Sequence, residues 1–118
     1  MRLIFAVTTT AAVLFGSSVA AEFETVDSQE EFVSLISGKE LRRPFVKLQV
    51  SPEGEISGMG AAWVVSGNWT WREGYFCRDL FWGGDPLGYN CQEVETNEKR
   101  IRFTSDRGDG DTAEFRLK

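Results

Sequence analysis

The sequence predicts a mainly β domain, in which one short N-terminal helix precedes a meander of seven or eight antiparallel strands forming a small barrel or sandwich. Three observations support this class. Apolar and polar residues alternate along most of the chain after Gly38, turn residues recur about every ten positions, and both cysteines lie within one predicted hairpin. We therefore also expect one disulfide.

The first 21 residues have the layout of a secretory signal peptide. Arg2 is followed by an apolar block at residues 3–15 and then by the small residues GSSVAA. We expect cleavage after Ala20 or Ala21, leaving residues 22–118 as a single domain in the periplasm or outside the cell. A membrane anchor is the weaker alternative, because a span needs about 20 apolar residues and threonines interrupt this shorter run. The mature form is expected to have no membrane span.

The mature chain is acidic and contains no histidine. Without Arg2, 12 basic residues stand against 18 acidic ones, a net charge of −6. This sign disfavours nucleic acid or anionic lipid as the main partner, because phosphate binding needs a clustered basic face. The lack of histidine excludes serine–histidine triads, histidine general bases and histidine-ligated zinc.

A short amphipathic helix is predicted directly after the signal peptide, within residues 26–41. A capping box can begin at either Asp27 or Ser28. Apolar side chains at one-turn spacing form a single stripe, at Phe32, Leu35 and Ile36. Gly38 is suited to end the helix. A helix of about ten residues is unstable alone, so it must pack on the β domain.

The predicted strands are runs of alternating apolar and polar residues, bounded by glycine, proline or aspartate. They cover residues 46–50, 55–58, 62–65, 68–72, 75–82, 89–95, 100–103 and 113–118. The turns between them include SPEG at 51–54, Glu73 with Gly74, and GGDPLG at 83–88. The last two strands show the cleanest alternation, which is typical of strands with one buried face.

Cys77 and Cys91 are predicted to form a disulfide between the strands at 75–82 and 89–95. In an exported protein two cysteines are more often paired than reactive, and the CxxC spacing of redox sites is absent. The bridge would close a loop of about 15 residues and contribute about 3 kcal/mol to stability.

The strand at 75–82 carries aromatic residues on both faces. One explanation is that one face meets the core and the other lies under the helix or a loop. The other is that part of this surface lines a ligand pocket or patch, with Arg78 and Asp79 as the polar groups that orient the ligand. The candidate ligand-binding residues are Trp71, Tyr75, Arg78, Asp79, Phe81 and Trp82.

The turn before the last strand is a candidate calcium site. Its acidic residues could supply oxygen ligands, at Asp106, Asp109, Asp111 and Glu114. The order and spacing of an EF-hand are absent, however, and glycine–aspartate clusters are common in ordinary turns. A solvated turn is therefore the favoured interpretation, and no cofactor is expected.

Catalysis would have to rest on carboxylates, for example Asp79 with Asp85 or Glu93, as in a two-carboxylate glycosidase. Such a hydrolase would hold two acids within about 10 Å in one cleft. A domain of this size offers little room to bury one of them and raise its pKa. The favoured function is a non-catalytic, monomeric binding module for a small ligand or an envelope protein.

Five motifs follow one another along the mature chain. They are GKEL, SPEGEISG, GNWTWREGYFCR, YNCQ and FTSDRGDGDTAEFRL. Their order resembles a family of short exported proteins from alphaproteobacteria, and GxWxWxxGYFCR with the distal cysteine is the most specific part. The resemblance implies no established activity. Some members carry the name dihydrodipicolinate reductase, an enzyme that needs a two-domain βαβ nucleotide fold, which this sequence does not predict. More loosely, the hairpins resemble small lipocalin-like barrels.

Overall fold

The structure, a computed structural model, describes residues 22–118 as nine strands, one α-helix and a short 3-10 turn at Asp106–Gly108. In chain order the elements are β1 (Glu24–Thr25), α1 (Gln29–Ile36), β2 (Leu41–Arg43), β3 (Val46–Val50), β4 (Glu55–Gly60), β5 (Trp63–Arg72), β6 (Tyr75–Trp82), β7 (Asp85–Thr96), β8 (Arg100–Thr104) and β9 (Thr112–Leu117). The predicted signal peptide lies outside the described residues.

Strands β2 to β9 form a closed antiparallel barrel. The sheet runs β7-β6-β5-β4-β3-β2-β9-β8, and a further pairing between β7 and β8 closes the ring. Strand β1 lies beside the end of β7, where Glu24 pairs with Thr96. Between β2 and β9 each strand pairs with the next along the chain, so the predicted meander is confirmed and its form is a barrel.

Ser28, one of the two predicted caps, directly precedes helix α1. Its Oγ accepts a hydrogen bond of 3.1 Å from the backbone N–H of Glu31. After the last turn, Gly38 has a φ of 68°, a left-handed conformation that suits glycine. Phe32 and Ile36 are buried and Leu35 is partly buried, so the predicted apolar stripe faces the barrel.

The aromatic core lies at the barrel end where β5 leads into β6. Phe32 inserts there, with its ring 5.1 Å from those of Trp69 and Phe76 and 5.2 Å from that of Trp71. The two tryptophans share the inward face of β5, as their spacing predicts. The helix therefore closes this end of the barrel by inserting the ring of Phe32.

Glycine within β5 has a different role from the expected one. The sequence predicted two strands, at 62–65 and 68–72, separated by Ser66 and Gly67, but β5 runs unbroken. A Cβ at Gly67 would overlap the carbonyl oxygen of Asp79 on β6. The glycine thus permits close approach of two paired strands and does not mark a turn.

Two other boundaries differ from the prediction. Strand β7 begins at Asp85, so the β6–β7 turn contains only Gly83 and Gly84, and the pairing shifts between Leu80 and Phe81. This bulge accommodates the residues that were expected to form a longer loop. Strand β2 was not predicted, because in its three residues only Leu41 is apolar and no alternation is visible.

Because the strands alternate in direction, the turns at residues 44–45, 61–62 and 83–84 lie at one end of the barrel. We call this end the rim. Helix α1 lies at the opposite end.

Candidate functional site

The cross-strand register determines which side chains enter the barrel. On β6, Phe76, Arg78 and Leu80 are opposite the inward residues of β5, whereas Cys77 and Asp79 point outward. Phe76 belongs to the core cluster, and Leu80 packs against it. The two faces of this strand therefore have different environments.

A cavity of about 140 Å³ occupies the barrel interior. Its walls are apolar side chains from β2, β3, β4, β6, β8 and β9, together with the polar residues Arg78 and Gln92. The inward side chains Leu48, Leu80 and Ala113 are only partly buried, so solvent reaches the cavity. The site is therefore an accessible apolar pocket with two polar side chains.

Arg78 is the charged group of the cavity. Its Nη1 donates a hydrogen bond of 2.6 Å to the carbonyl oxygen of Gly88, while its Nε is buried and has no hydrogen-bond partner. Burial lowers the pKa of Arg78, and the neighbouring charge of Asp79 acts in the opposite direction. A guanidinium nevertheless stays charged at neutral pH. Within residues 22–118 the ion pairs do not include Arg78.

Gln92, the second polar residue of the cavity wall, is fixed by the loop at 105–111. Its Nε2 donates a hydrogen bond of 3.1 Å to Ser105 Oγ. Beside it, Asn90 donates to Asp106 Oδ1 at 2.8 Å, and the backbone N–H of Asp106 donates back to Asn90 at 2.9 Å. This loop is therefore held against β7 by side-chain hydrogen bonds.

The six predicted ligand-binding residues do not share one pocket. Arg78 lines the cavity, whereas Trp71 is stacked on Phe32 in the core. Asp79 and Phe81 are exposed on the outer surface.

The two remaining predicted residues lie far apart along β6. At one end of the strand, Tyr75 lies 5.3 Å from the guanidinium of Arg107, which belongs to the loop at 105–111. At the other end, Trp82 reaches the rim, where its Nε1 donates to the carbonyl oxygen of Gly60 at 2.9 Å. The outer face near Tyr75 thus lies under a loop, as one of the two explanations proposed.

The predicted disulfide is present. Cys77 and Cys91 are bonded and occupy directly paired positions on β6 and β7. Cys77 is buried although it lies on the outer face of the strand. The bridge therefore fastens the strand that carries Arg78 to the strand that carries Gln92.

The acidic residues of the predicted calcium site are not arranged as a group of ligands. Residues 22–118 contain no cluster of three or more acidic, cysteine or histidine side chains that could hold a metal ion. Glu114 accepts hydrogen bonds from Arg102 at 2.6 Å and from Arg100 at 3.0 Å. The hydrogen bond from Arg102 lowers the pKa of Glu114, partly offset by desolvation, with further lowering from Arg100.

The carboxylates considered for hydrolysis lie on or near β6 and β7. Asp79 is opposite Tyr89, and Glu93 is four residues further along β7, a separation of about 13 Å along the strand. Asp85 is opposite Trp82 at the rim. Neither pair faces across a common cleft in this register.

Sequence reasoning did not identify Gln92 or the apolar walls of the cavity. The disulfide could have indicated Gln92, because pairing Cys77 with Cys91 places Gln92 opposite Phe76 on the inward face. The empty volume itself depends on how eight strands close, and no local pattern encodes it.

Comparison with known proteins finds no matching family model, no similar curated protein and no similar solved structure. The helices described within residues 22–118 are all too short or too polar to cross a membrane.

Proposed function

We propose that the barrel is a non-catalytic binding module for a small, mostly apolar ligand that carries an anionic group such as a carboxylate. The observation that carries this proposal is the guanidinium of Arg78, which lies in an apolar cavity without an acidic partner. A charge in such a place is costly unless it is paired. A bound anion would supply the missing partner.

The cavity limits the size of the buried part of the ligand. Its volume of about 140 Å³ is close to that of engineered apolar cavities of about 150 Å³, which admit benzene. The buried part is therefore a single ring or an alkyl chain of about six carbons. Since solvent reaches Leu48, Leu80 and Ala113, a larger ligand can extend outward.

Arg78 keeps a donor that the protein does not use. Nη1 is already bonded to Gly88, whereas Nε is not bonded within the protein. Guanidinium groups pair with carboxylates through two parallel N–H donors, and these charge-assisted bonds are about twice as strong as neutral ones. We therefore expect the ligand's anionic end at the guanidinium of Arg78 and its apolar part along Leu80 and Phe103, with a shift of the Arg78 side chain that uncovers Nε.

The test compares two probes that differ in charge and share an alkyl chain, hexanoate and hexanol. Each is titrated into the isotopically labelled protein, and the amide shifts are followed by NMR. We expect hexanoate to bind at least about tenfold more tightly than hexanol, since one charge-assisted hydrogen bond contributes more than 1.4 kcal/mol. Arg78→Met should abolish this preference. The control Arg72→Met removes an exposed arginine of β5 and should leave it intact.

The proposal fails if neither probe binds, if the shifted amides lie away from the cavity walls, or if Arg78→Met keeps the preference for hexanoate. Thermal unfolding of both variants checks that they are folded. Because it removes a partly buried charge that has no acidic partner, Arg78→Met should be at least as stable as the wild type.

A further inference from the structure

One face of this acidic domain is basic. Five of the 12 basic residues of the mature chain point outward from four adjacent strands, β3, β2, β9 and β8. They are Lys47, Arg42, Arg116, Arg100 and Arg102. On the same strands the outward acidic residue is Glu114, and Glu40 precedes β2.

Four of these residues form a straight row across the strands. Arg42 is directly opposite both Lys47 and Arg116, and Arg116 is directly opposite Arg100. With strands about 4.8 Å apart, the row is about 14 Å long. Like charges at directly opposed positions repel each other, so the fold gains nothing from this arrangement.

Acidic neighbours neutralise only part of the row. Glu40 pairs with Arg42, and Glu114 is shared between Arg100 and Arg102. Among the ion pairs of the described chain, none involves Lys47 or Arg116. These two exposed side chains therefore leave positive charge at the surface.

The basic row continues into exposed apolar residues toward β5. Met59 is directly opposite Lys47, and Val64 is directly opposite Met59. The side chains of these two residues are exposed, Met59 to 43% and Val64 to 61%. The aromatic side chains at the neighbouring turns are exposed as well, Trp63 to 57% and Phe45 to 87%. This surface therefore combines cations with exposed apolar side chains.

Phe45 is unfavourable for the isolated protein. It is the second residue of the two-residue turn between β2 and β3 and has a φ of 65°, a left-handed conformation that favours glycine or asparagine. Its ring is also almost wholly in water. Neither the turn nor the core requires a phenylalanine here, so the residue points to a contact outside the chain.

The turns of this surface are tied together. The backbone N–H of Ala61 donates to the carbonyl oxygen of Phe45 at 2.7 Å, and that of Gly83 donates to Val64 at 2.8 Å. The exposed apolar side chains therefore project from turns that are hydrogen-bonded to neighbouring elements, and we call this set of turns with Phe45, Trp63 and Val64 the platform.

We propose that this platform docks on the surface of an anionic lipid membrane, with Phe45, Trp63 and Val64 in the interface and Lys47 and Arg116 near the lipid phosphates. Apolar tips flanked by basic residues are the pattern by which proteins bind anionic bilayer surfaces. A soluble polyanion would use the basic row but would give no reason for the exposed Phe45. The net charge of −6 disfavoured an anionic lipid as partner in the sequence analysis. Net charge does not show, however, that basic residues are concentrated on one face.

The loop at 105–111 sets the orientation. It carries Asp106, Asp109 and Asp111, which an anionic surface repels, and its Arg107 contacts Tyr75 and Glu73 beside the β5–β6 turn. The barrel should therefore tilt so that the β2–β3 and β4–β5 turns touch the membrane and this loop does not.

The test is vesicle co-sedimentation of protein purified after expression of the full chain, with its N-terminus read by mass spectrometry. Vesicles of phosphatidylcholine alone are compared with vesicles that also contain phosphatidylglycerol. The wild type should bind only the anionic vesicles, and added salt should weaken the binding. Lys47→Gln with Arg116→Gln should weaken binding about 25-fold, at about fivefold per basic residue.

Two variants separate this docking from general effects. Phe45→Asn suits the left-handed turn, so it should keep or raise the melting temperature while weakening binding about tenfold. Arg72→Gln with Arg107→Gln makes the same charge change away from the platform, at exposed positions beside the β5–β6 turn, and should leave binding within about twofold.

The proposal is overturned if the wild type does not bind anionic vesicles, if both charge variants lose equal affinity, or if Phe45→Asn binds as the wild type does. The proposed docking does not involve the cavity, so Arg78→Met should bind vesicles as the wild type does. Failure of the hexanoate test and failure of the vesicle test are thus distinguishable.

Discussion

The ring of Phe32 on helix α1 meets that of Trp69 on β5 edge to face, at 5.1 Å between centroids. The same ring also contacts Trp71, Phe76 and Phe103, so one helical side chain joins three strands of the barrel. The helix has only eight residues and would be unstable in isolation. Phe32 is therefore the main link between the helix and the barrel.

Truncation of this side chain should cost much of the stability. We expect Phe32→Ala to lower the free energy of unfolding by about 3–5 kcal/mol, because it removes a fully buried ring and leaves a void. Urea unfolding followed by tryptophan fluorescence measures the change. Ser34→Ala, at an exposed position of the same helix, should stay within about 0.5 kcal/mol. A loss below about 1 kcal/mol for Phe32→Ala would contradict the packing described.

The disulfide between Cys77 and Cys91 should be a second major contribution. Its loop is about 15 residues long, so the double replacement of both cysteines by alanine should lower the free energy of unfolding by about 3 kcal/mol. Adding reductant during unfolding should destabilise the wild type similarly and leave the double variant unaffected. Two alkylatable thiols in the unreduced wild type would disprove the bridge.

Acid should remove the contribution of Glu114. Because Arg102 and Arg100 lower its pKa below the usual value of 4.5 in the folded protein, its stabilising effect is complete above that value and is lost as the pH falls through the folded pKa. The side chain is partly exposed, so the effect should be less than about 1 kcal/mol and should shrink in salt.

The measurement compares the free energies of unfolding of the wild type and Glu114→Gln between neutral pH and pH values below 4.5. The difference between the two proteins should be present at neutral pH and narrow in acid. A constant difference across this range would show that Glu114 acts without its charge.

Local patterns in the sequence predicted most of the fold. Alternation located the strands, the apolar stripe located α1, and the compartment and spacing predicted the pairing of Cys77 with Cys91. Where the prediction differed, tertiary contact decided the outcome. Gly67 allows Asp79 to approach closely, although an isolated glycine between two apolar runs favours a turn.

The candidate sites were only partly predictable. Arg78 was identified because it is a polar residue within an aromatic strand, but the cavity around it arises from the closure of eight strands. The basic row joins Lys47 and Arg42 to Arg100 and Arg116, which are more than 50 positions away in the chain. Only the register between β2 and β9 brings them together. The local pattern of residues within each strand does not specify that register.

The hydrogen bonds from Asn90 and Gln92 to the loop at 105–111 also shorten an open strand edge. Strand β8 pairs with β7 only from Glu93 onward, so residues 85–92 have one edge that no described strand covers. An open edge of this length can template the addition of a strand from another molecule, which is a route to aggregation. The loop bonded to Asn90 and Gln92 covers the part of this edge next to β8 and leaves the part toward Asp85 open, so strand addition is expected at the tip of the β6–β7 hairpin and not beside the barrel.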